Sequence, residues 1–83
     1  MSDVHVFGAD WCEDTRHTLA HLNAIGVEFD YTDVDEDPKA KQWVKQHNDG
    51  VQKTPTVDVK GTVLSVPADE DLDTVLRQHE LLA

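Results

Sequence analysis

Cysteine occurs once in this chain, at position 12, so no intramolecular disulfide can close a loop and apolar packing has to hold the fold. With 83 residues, that packing comes from one modest core, near the lower limit of what folds without a covalent or metal staple. Residues 1–83 are therefore read as a single domain. A four-cysteine zinc site and a two-cysteine redox loop are both excluded within one chain. Any disulfide formed by Cys12 has to reach another molecule.

The apolar residues show what such a core is built from. Val4, Val6 and Phe7 precede Gly8-Ala9-Asp10 and suit a strand covered on both faces. From Cys12 onward, Thr15, Leu19, Leu22 and Ile25 recur at steps of three and four, which predicts an amphipathic helix stopped at Gly26. Val27, Phe29, Tyr31 and Val34 form a second strand with interleaved acids. Asp37-Pro38 opens a second helix with Ala40, Trp43, Val44 and His47 on one face, ended by Asn48-Asp49-Gly50. Val57 and Val59, the turn Lys60-Gly61 and the return from Val63 to Val66 read as a β-hairpin. Pro67 terminates it. Asp69, Glu70 and Asp71 place negative charge at the start of a last helix striped by Leu72, Val75, Leu76 and His79. The order is β-α-β-α-β-β-α, an α/β arrangement that predicts a four-stranded mixed sheet with helices on both faces.

Seventeen acidic against seven basic side chains give a formal charge of −10. Such a charge repels nucleic acid and anionic membranes, serves solubility, and favours encounter with a basic protein partner. The first residues carry no basic region followed by an apolar stretch, and no later segment reaches membrane-spanning length. The expectation is a cytoplasmic monomer.

Chemistry concentrates at Trp11-Cys12-Glu13-Asp14-Thr15, where the first strand gives way to the first helix. At a helix N-terminus, unpaired backbone N–H groups and the positive end of the dipole favour a thiolate, the nucleophile of disulfide exchange. Glu13 and Asp14 oppose this, since like charge raises a thiol pKa. Thr15 lies one turn on, where its hydroxyl can approach the Cys12 sulfur. Thr54-Pro55 precedes the hairpin; a cis bond there, available to X-Pro alone at appreciable frequency, would turn the Thr54 backbone toward a docked extended peptide.

Together these segments resemble the glutaredoxin family over essentially the whole chain. The matching pieces are Val6-Phe7-Gly8-Ala9-Asp10-Trp11-Cys12, Cys12-x-x-Thr15, Gly26-Val27, Asp33-Val34-Asp35-Glu36-Asp37-Pro38 and Thr54-Pro55. The resemblance, to a short bacterial glutaredoxin-like protein, implies a thioredoxin-like fold, thiol–disulfide oxidoreductase activity and a groove for glutathione or another low-molecular-weight thiol as co-substrate, with no tightly bound cofactor or metal. It implies Cys12 and Thr15 as catalytic residues, with Trp11 bordering the groove beside Pro55. Thr54 would pair its backbone with the cysteinyl part of the tripeptide, and Asp69 and Glu70 would meet its γ-glutamyl end. Lys53 would supply a carboxylate contact or is an ordinary solvated lysine. The chain departs from the family in carrying Pro67-Ala68 for a glycine pair and Ala9 for a basic residue.

Other clusters carry plainer readings. His17 and His21 have the spacing of a helical metal pair, but five histidines in so short a chain meet that spacing by chance, and they are read as surface residues. Asp33, Asp35, Glu36 and Asp37 lack calcium-loop spacing and read as a solvated loop with a helix cap. Trp43 reads as core. The leading functional expectation is monothiol exchange with protein mixed disulfides. The alternatives are an iron–sulfur carrier in which Cys12 and an external thiol from each of two chains hold the cluster, and a degenerate binding module with an unreactive thiol.

Overall fold

The computed structural model describes residues 2–83. Its elements run β1 (Val4–Gly8), α1 (Glu13–Ala24), β2 (Asp30–Asp33), α2 (Pro38–Gln46), β3 (Thr56–Val59), β4 (Thr62–Ser65) and α3 (Asp69–Gln78). The strands form one sheet in the order β2-β1-β3-β4. β1 pairs parallel with β2, through Val6 opposite Tyr31, and antiparallel with β3, through Val6 opposite Val57. β4 returns antiparallel on β3. The mixed sheet and the element order are those the sequence predicts.

Alternation along the strands divides the core in two. Val4, Val6, Val57 and Val59 face one side, where they pack with Leu22 of α1 and Leu72 and Leu76 of α3. These three leucines are fully buried, and each contributes about 1.5–3 kcal/mol of apolar transfer. On the other side Ala40 and Val44 of α2 pack with Val34, Phe7 and Trp43. An aromatic stack runs through that face, with His5 on Phe7 (4.0 Å between ring centroids), Phe7 against Trp43 (4.4 Å) and Trp43 against His47 (4.1 Å). Trp43 is thus half-buried core, while His47 at the end of the expected apolar face is exposed.

The helix ends follow the residues that mark them. Gly26 has φ 75°, and the Gly26 and Val27 amides donate to the Asn23 and Leu22 carbonyls, the paired bonds of a glycine-terminated helix. Asp37 accepts from the Lys39 and Ala40 amides at 3.1 Å each, capping α2 behind Pro38. Lys60 and Gly61 both have positive φ, as a two-residue hairpin turn of the right twist requires.

Two boundaries and one burial pattern differ from expectation. The second strand spans only Asp30–Asp33, its pairing with β1 running from His5 opposite Asp30 to Gly8 opposite Asp33. Val27 and Phe29 still pack into the core from the preceding segment. In α1 the buried positions include Thr15 and Thr18, whereas Leu19 is half-buried. β4 ends at Ser65, and Val66 adopts φ 44°.

That last value relocates the consequence of the missing glycine pair. The left-handed residue is Val66 rather than Pro67 or Ala68, and a β-branched side chain in this region is sterically strained. Its amide donates to the Pro55 carbonyl at 2.7 Å, which holds it in place. Val66→Gly is expected to raise stability by about 1 kcal/mol, strain relief outweighing the entropy glycine gains in the unfolded chain. A urea midpoint at or below the wild-type value would refute this.

Candidate active site

Cys12 sits between the end of β1 and the first turn of α1, where it is the helix N-cap with extended backbone (φ −80°, ψ 121°). Its amide donates to the Ala9 carbonyl at 3.0 Å, and its own carbonyl accepts from Arg16 at 3.1 Å. The strand-to-helix turn therefore fixes the residue from both sides. The side chain is half-buried, open to a partner yet partly out of water.

The loop before β3 closes over it. Thr54–Pro55 is a cis peptide, and the Cys12 thiol donates to the Thr54 carbonyl with 3.6 Å between sulfur and oxygen. Burial alone pushes the thiol pKa up, but hydrogen bonds from the Thr54 and Thr15 side chains and from the Thr15 and Asp14 amides outweigh it and hold the value below that of an ordinary cysteine. No full side-chain cap bond forms, so the two amides act on the sulfur as weaker, charge-dependent contacts. The carboxylates of Glu13 and Asp14 are exposed, where water and salt screen them. The opposition expected from these acids does not prevail.

Thr15 is fully buried, and its hydroxyl accepts from the Ala9 amide at 3.3 Å. It owes its position to Gly8: a Cβ built there would stand 2.6 Å from Thr15 Oγ1 and closer still to Cγ2. The glycine lets α1 approach the end of β1 and brings Thr15 beneath the sulfur.

Trp11 is 67% exposed, the most exposed large apolar side chain of the molecule's described residues. Its indole N–H donates to Asp35 Oδ2 at 2.6 Å, and Lys41 approaches Asp35 at 3.9 Å. Nearby, the Tyr31 hydroxyl donates to Asp10 at 2.7 Å. Burial first, then the bond and charge of Asp10 and the charges of Asp33 and Cys12, push the Tyr31 pKa upward and keep it a donor. The segment read as a solvated acidic loop thus fastens the indole beside Cys12.

The remaining candidates are more dispersed. Lys53 is exposed, and its backbone carbonyl accepts from Thr56 Oγ1 at 2.8 Å. Glu70 is exposed in the first turn of α3. Asp69 is engaged by His17 Nε2 at 2.9 Å and lies 3.6 Å from His21 Nδ1, while His21 Nε2 meets Asp73 at 2.7 Å. The two histidines fasten α1 to α3. Among the described residues no three His, Cys, Asp or Glu side chains form a metal-holding group, and no helix is long and apolar enough to cross a membrane.

Comparison with known proteins bears on the same residues. The glutaredoxin family model matches residues 4–64, a span that includes Cys12, Thr15 and Thr54-Pro55. Mycoredoxin 1 of Corynebacterium glutamicum is 46% identical over 57 residues, 69% of this chain and 70% of that protein. Among solved structures, a variant of a thioredoxin-like protein is similar with a TM-score of 0.82 at 25% identity, over 93% of this chain and 97% of the other. A glutaredoxin from Archaeoglobus fulgidus is similar in fold, with a TM-score of 0.76 at 22% identity over 93% and 88% of the two chains. A thioredoxin-like sheet and one cysteine at a helix start, within a matched span covering most of the chain, establish that this protein belongs to the glutaredoxin family of thiol oxidoreductases.

Proposed function

We propose that the protein is a monothiol thiol–disulfide oxidoreductase acting on mixed disulfides between proteins and a low-molecular-weight thiol. The observation that carries this reading is the Cys12 sulfur at the start of α1, half-buried and facing the Thr54 carbonyl at 3.6 Å. In the first step the Cys12 thiolate attacks the sulfur of the small thiol. A Cys12–thiol disulfide forms, the protein–thiol disulfide breaks, and the target leaves as its thiolate. A second small-thiol thiolate then attacks the adduct, releasing the oxidised dimer of the small thiol and restoring Cys12. In sum one free small thiol is consumed, the target's mixed disulfide is exchanged for the disulfide of the small thiol, and no resolving cysteine is required.

Thr15 and Thr54 stabilise the thiolate as attacking and as leaving group. In the bound state the Thr54 backbone pairs with the small thiol along the face bounded by Pro55 and Trp11, with Lys53 at its carboxylate and Asp69 and Glu70 toward its far end. The engagement of Asp69 by His17 and His21 leaves Glu70 the freer of the two. The formal charge of −10 and the acids Asp10, Glu13 and Asp14 around the thiol favour targets with basic residues beside their modified cysteine. The reaction suits a reducing compartment such as the cytoplasm.

Mass spectrometry of the reduced protein after exposure to glutathione disulfide, and separately to mycothiol disulfide, tests this. One small thiol added at Cys12 in at least one arm, and its release by a second thiol, is the expected result. An unmodified Cys12 in both arms rejects the reading.

A further inference from the structure

Asn48 follows the end of α2 and is only 7% exposed, yet none of the chemistry above calls on it. Its amide group is fully employed. Nδ2 donates to the Val44 carbonyl at 2.7 Å and to Thr56 Oγ1 at 3.3 Å. On the other side Oδ1 accepts from the hydroxyl of Ser65. One side chain thereby joins the end of a helix to β3 and β4.

Both strands lead directly into the segment that faces Cys12. Thr56, fully buried, accepts from Asn48 and passes its own hydroxyl proton toward the Lys53 carbonyl at 2.8 Å. Ser65 precedes Val66, whose amide donates to the Pro55 carbonyl at 2.7 Å. The carbonyls on either side of Thr54 are therefore each tied to a strand that Asn48 grips. A buried amide with two donors and one acceptor in use cannot be replaced by an acid, which lacks the donors, or by an apolar group, which deprives the fully buried Thr56 of its donor and releases exposed Ser65 to water.

We propose that Asn48 is a positioning residue for Cys12: by clamping Thr56 and Ser65 it fixes the loop 53–55 so that the Thr54 carbonyl and hydroxyl stay against the sulfur. Asn48 touches neither the sulfur nor a substrate and acts wholly through Thr54. The inference rests on the monothiol reading of the site and extends it to a residue across the sheet. Loss of the clamp lets the loop withdraw, and with it the Thr54 side-chain hydrogen bond that favours the thiolate and outweighs the carbonyl, which only accepts from the thiol.

The test titrates Cys12 by its thiolate absorbance in the wild-type protein, in Asn48→Ala, in Thr56→Val, in the double variant and in Val75→Ala. Val75 sits half-buried on α3, away from the clamp, and controls for lost stability. The expected result is a Cys12 pKa about one pH unit higher in each of the first two variants, the size of one lost charge-stabilising hydrogen bond. The double variant rises no further, because both substitutions break one relay, and Val75→Ala matches the wild type. If Asn48→Ala does not fold, Asn48→Ser, whose shorter side chain carries no amide to bridge Thr56 and Ser65, takes its place with the same expected rise. A depressed wild-type value left unchanged by the substitutions, or additive rises in the double variant, overturns the role of Asn48 alone. A wild-type Cys12 that titrates as an ordinary thiol overturns the monothiol reading itself.

Discussion

Replacing Cys12 by serine is expected to lower disulfide exchange by on the order of a thousandfold or more, to the uncatalysed background, with folding stability nearly unchanged. No other cysteine exists to take over, and a hydroxyl at the same N-cap is not ionised near neutral pH. Serine is a good helix cap, so the fold loses nothing at this position. The pH profile of the wild-type protein provides the complementary test. Its lowered pKa arises from bonds donated by Thr54, Thr15 and the amides of Thr15 and Asp14, set against burial. A lowered thiol pKa means that the thiolate fills at lower pH. The rate of adduct formation should therefore climb with pH and level off earlier than for a free cysteine in the same buffer. A profile still rising where free cysteine has levelled off would contradict the geometry of the site.

Gly8→Ala should be the most damaging single methyl addition near the site, costing about 2–3 kcal/mol of stability. The added Cβ would stand 2.6 Å from Thr15 Oγ1 and nearer to its Cγ2. Thr15 is fully buried and has no open space into which to swing, so α1 or the end of β1 must give way. Because Cys12 lies between these two elements, the displacement reaches the sulfur as well. Thr15→Ala removes both clashing atoms, so the pair should be non-additive, with the double variant recovering about 1–2 kcal/mol relative to the sum of the single changes. Denaturant unfolding of the four proteins measures this directly. Additive losses would mean that the backbone at Gly8, rather than its contact with Thr15, sets the cost.

These two residues also show how far the sequence could be read. Cys12 announces itself locally: a turn after a β-branched run and an amphipathic stretch beyond it place a thiol at a helix start whatever the rest of the chain does. The element order was legible for the same reason, since periods of two and of between three and four are local properties. Gly8 was legible only as a strand breaker, because its contact partner is brought against it by the packing of α1. Asn48 looked like an ordinary helix terminator in Asn48-Asp49-Gly50, and its three side-chain partners come from three different elements. The acids divide in the same way. Asp37 could be assigned as a cap from Pro38 beside it, whereas Asp35 under Trp11 and Asp69 between His17 and His21 depend on contacts 24 to 52 residues distant in the chain. Val27 and Phe29 look like strand residues and pack like them, but their backbone lies before the point where pairing with β1 begins, at Asp30 opposite His5.

The two tryptophans occupy unlike surroundings, and this gives the molecule separate optical reporters. Trp43 lies between Phe7 and His47 against the core, so its emission follows folding. Trp11 stands in solvent beside Cys12 with its indole N–H held by Asp35, so its emission follows what is attached to the sulfur. A single fluorescence trace can thus distinguish a chain that has unfolded from one that has merely acquired a disulfide.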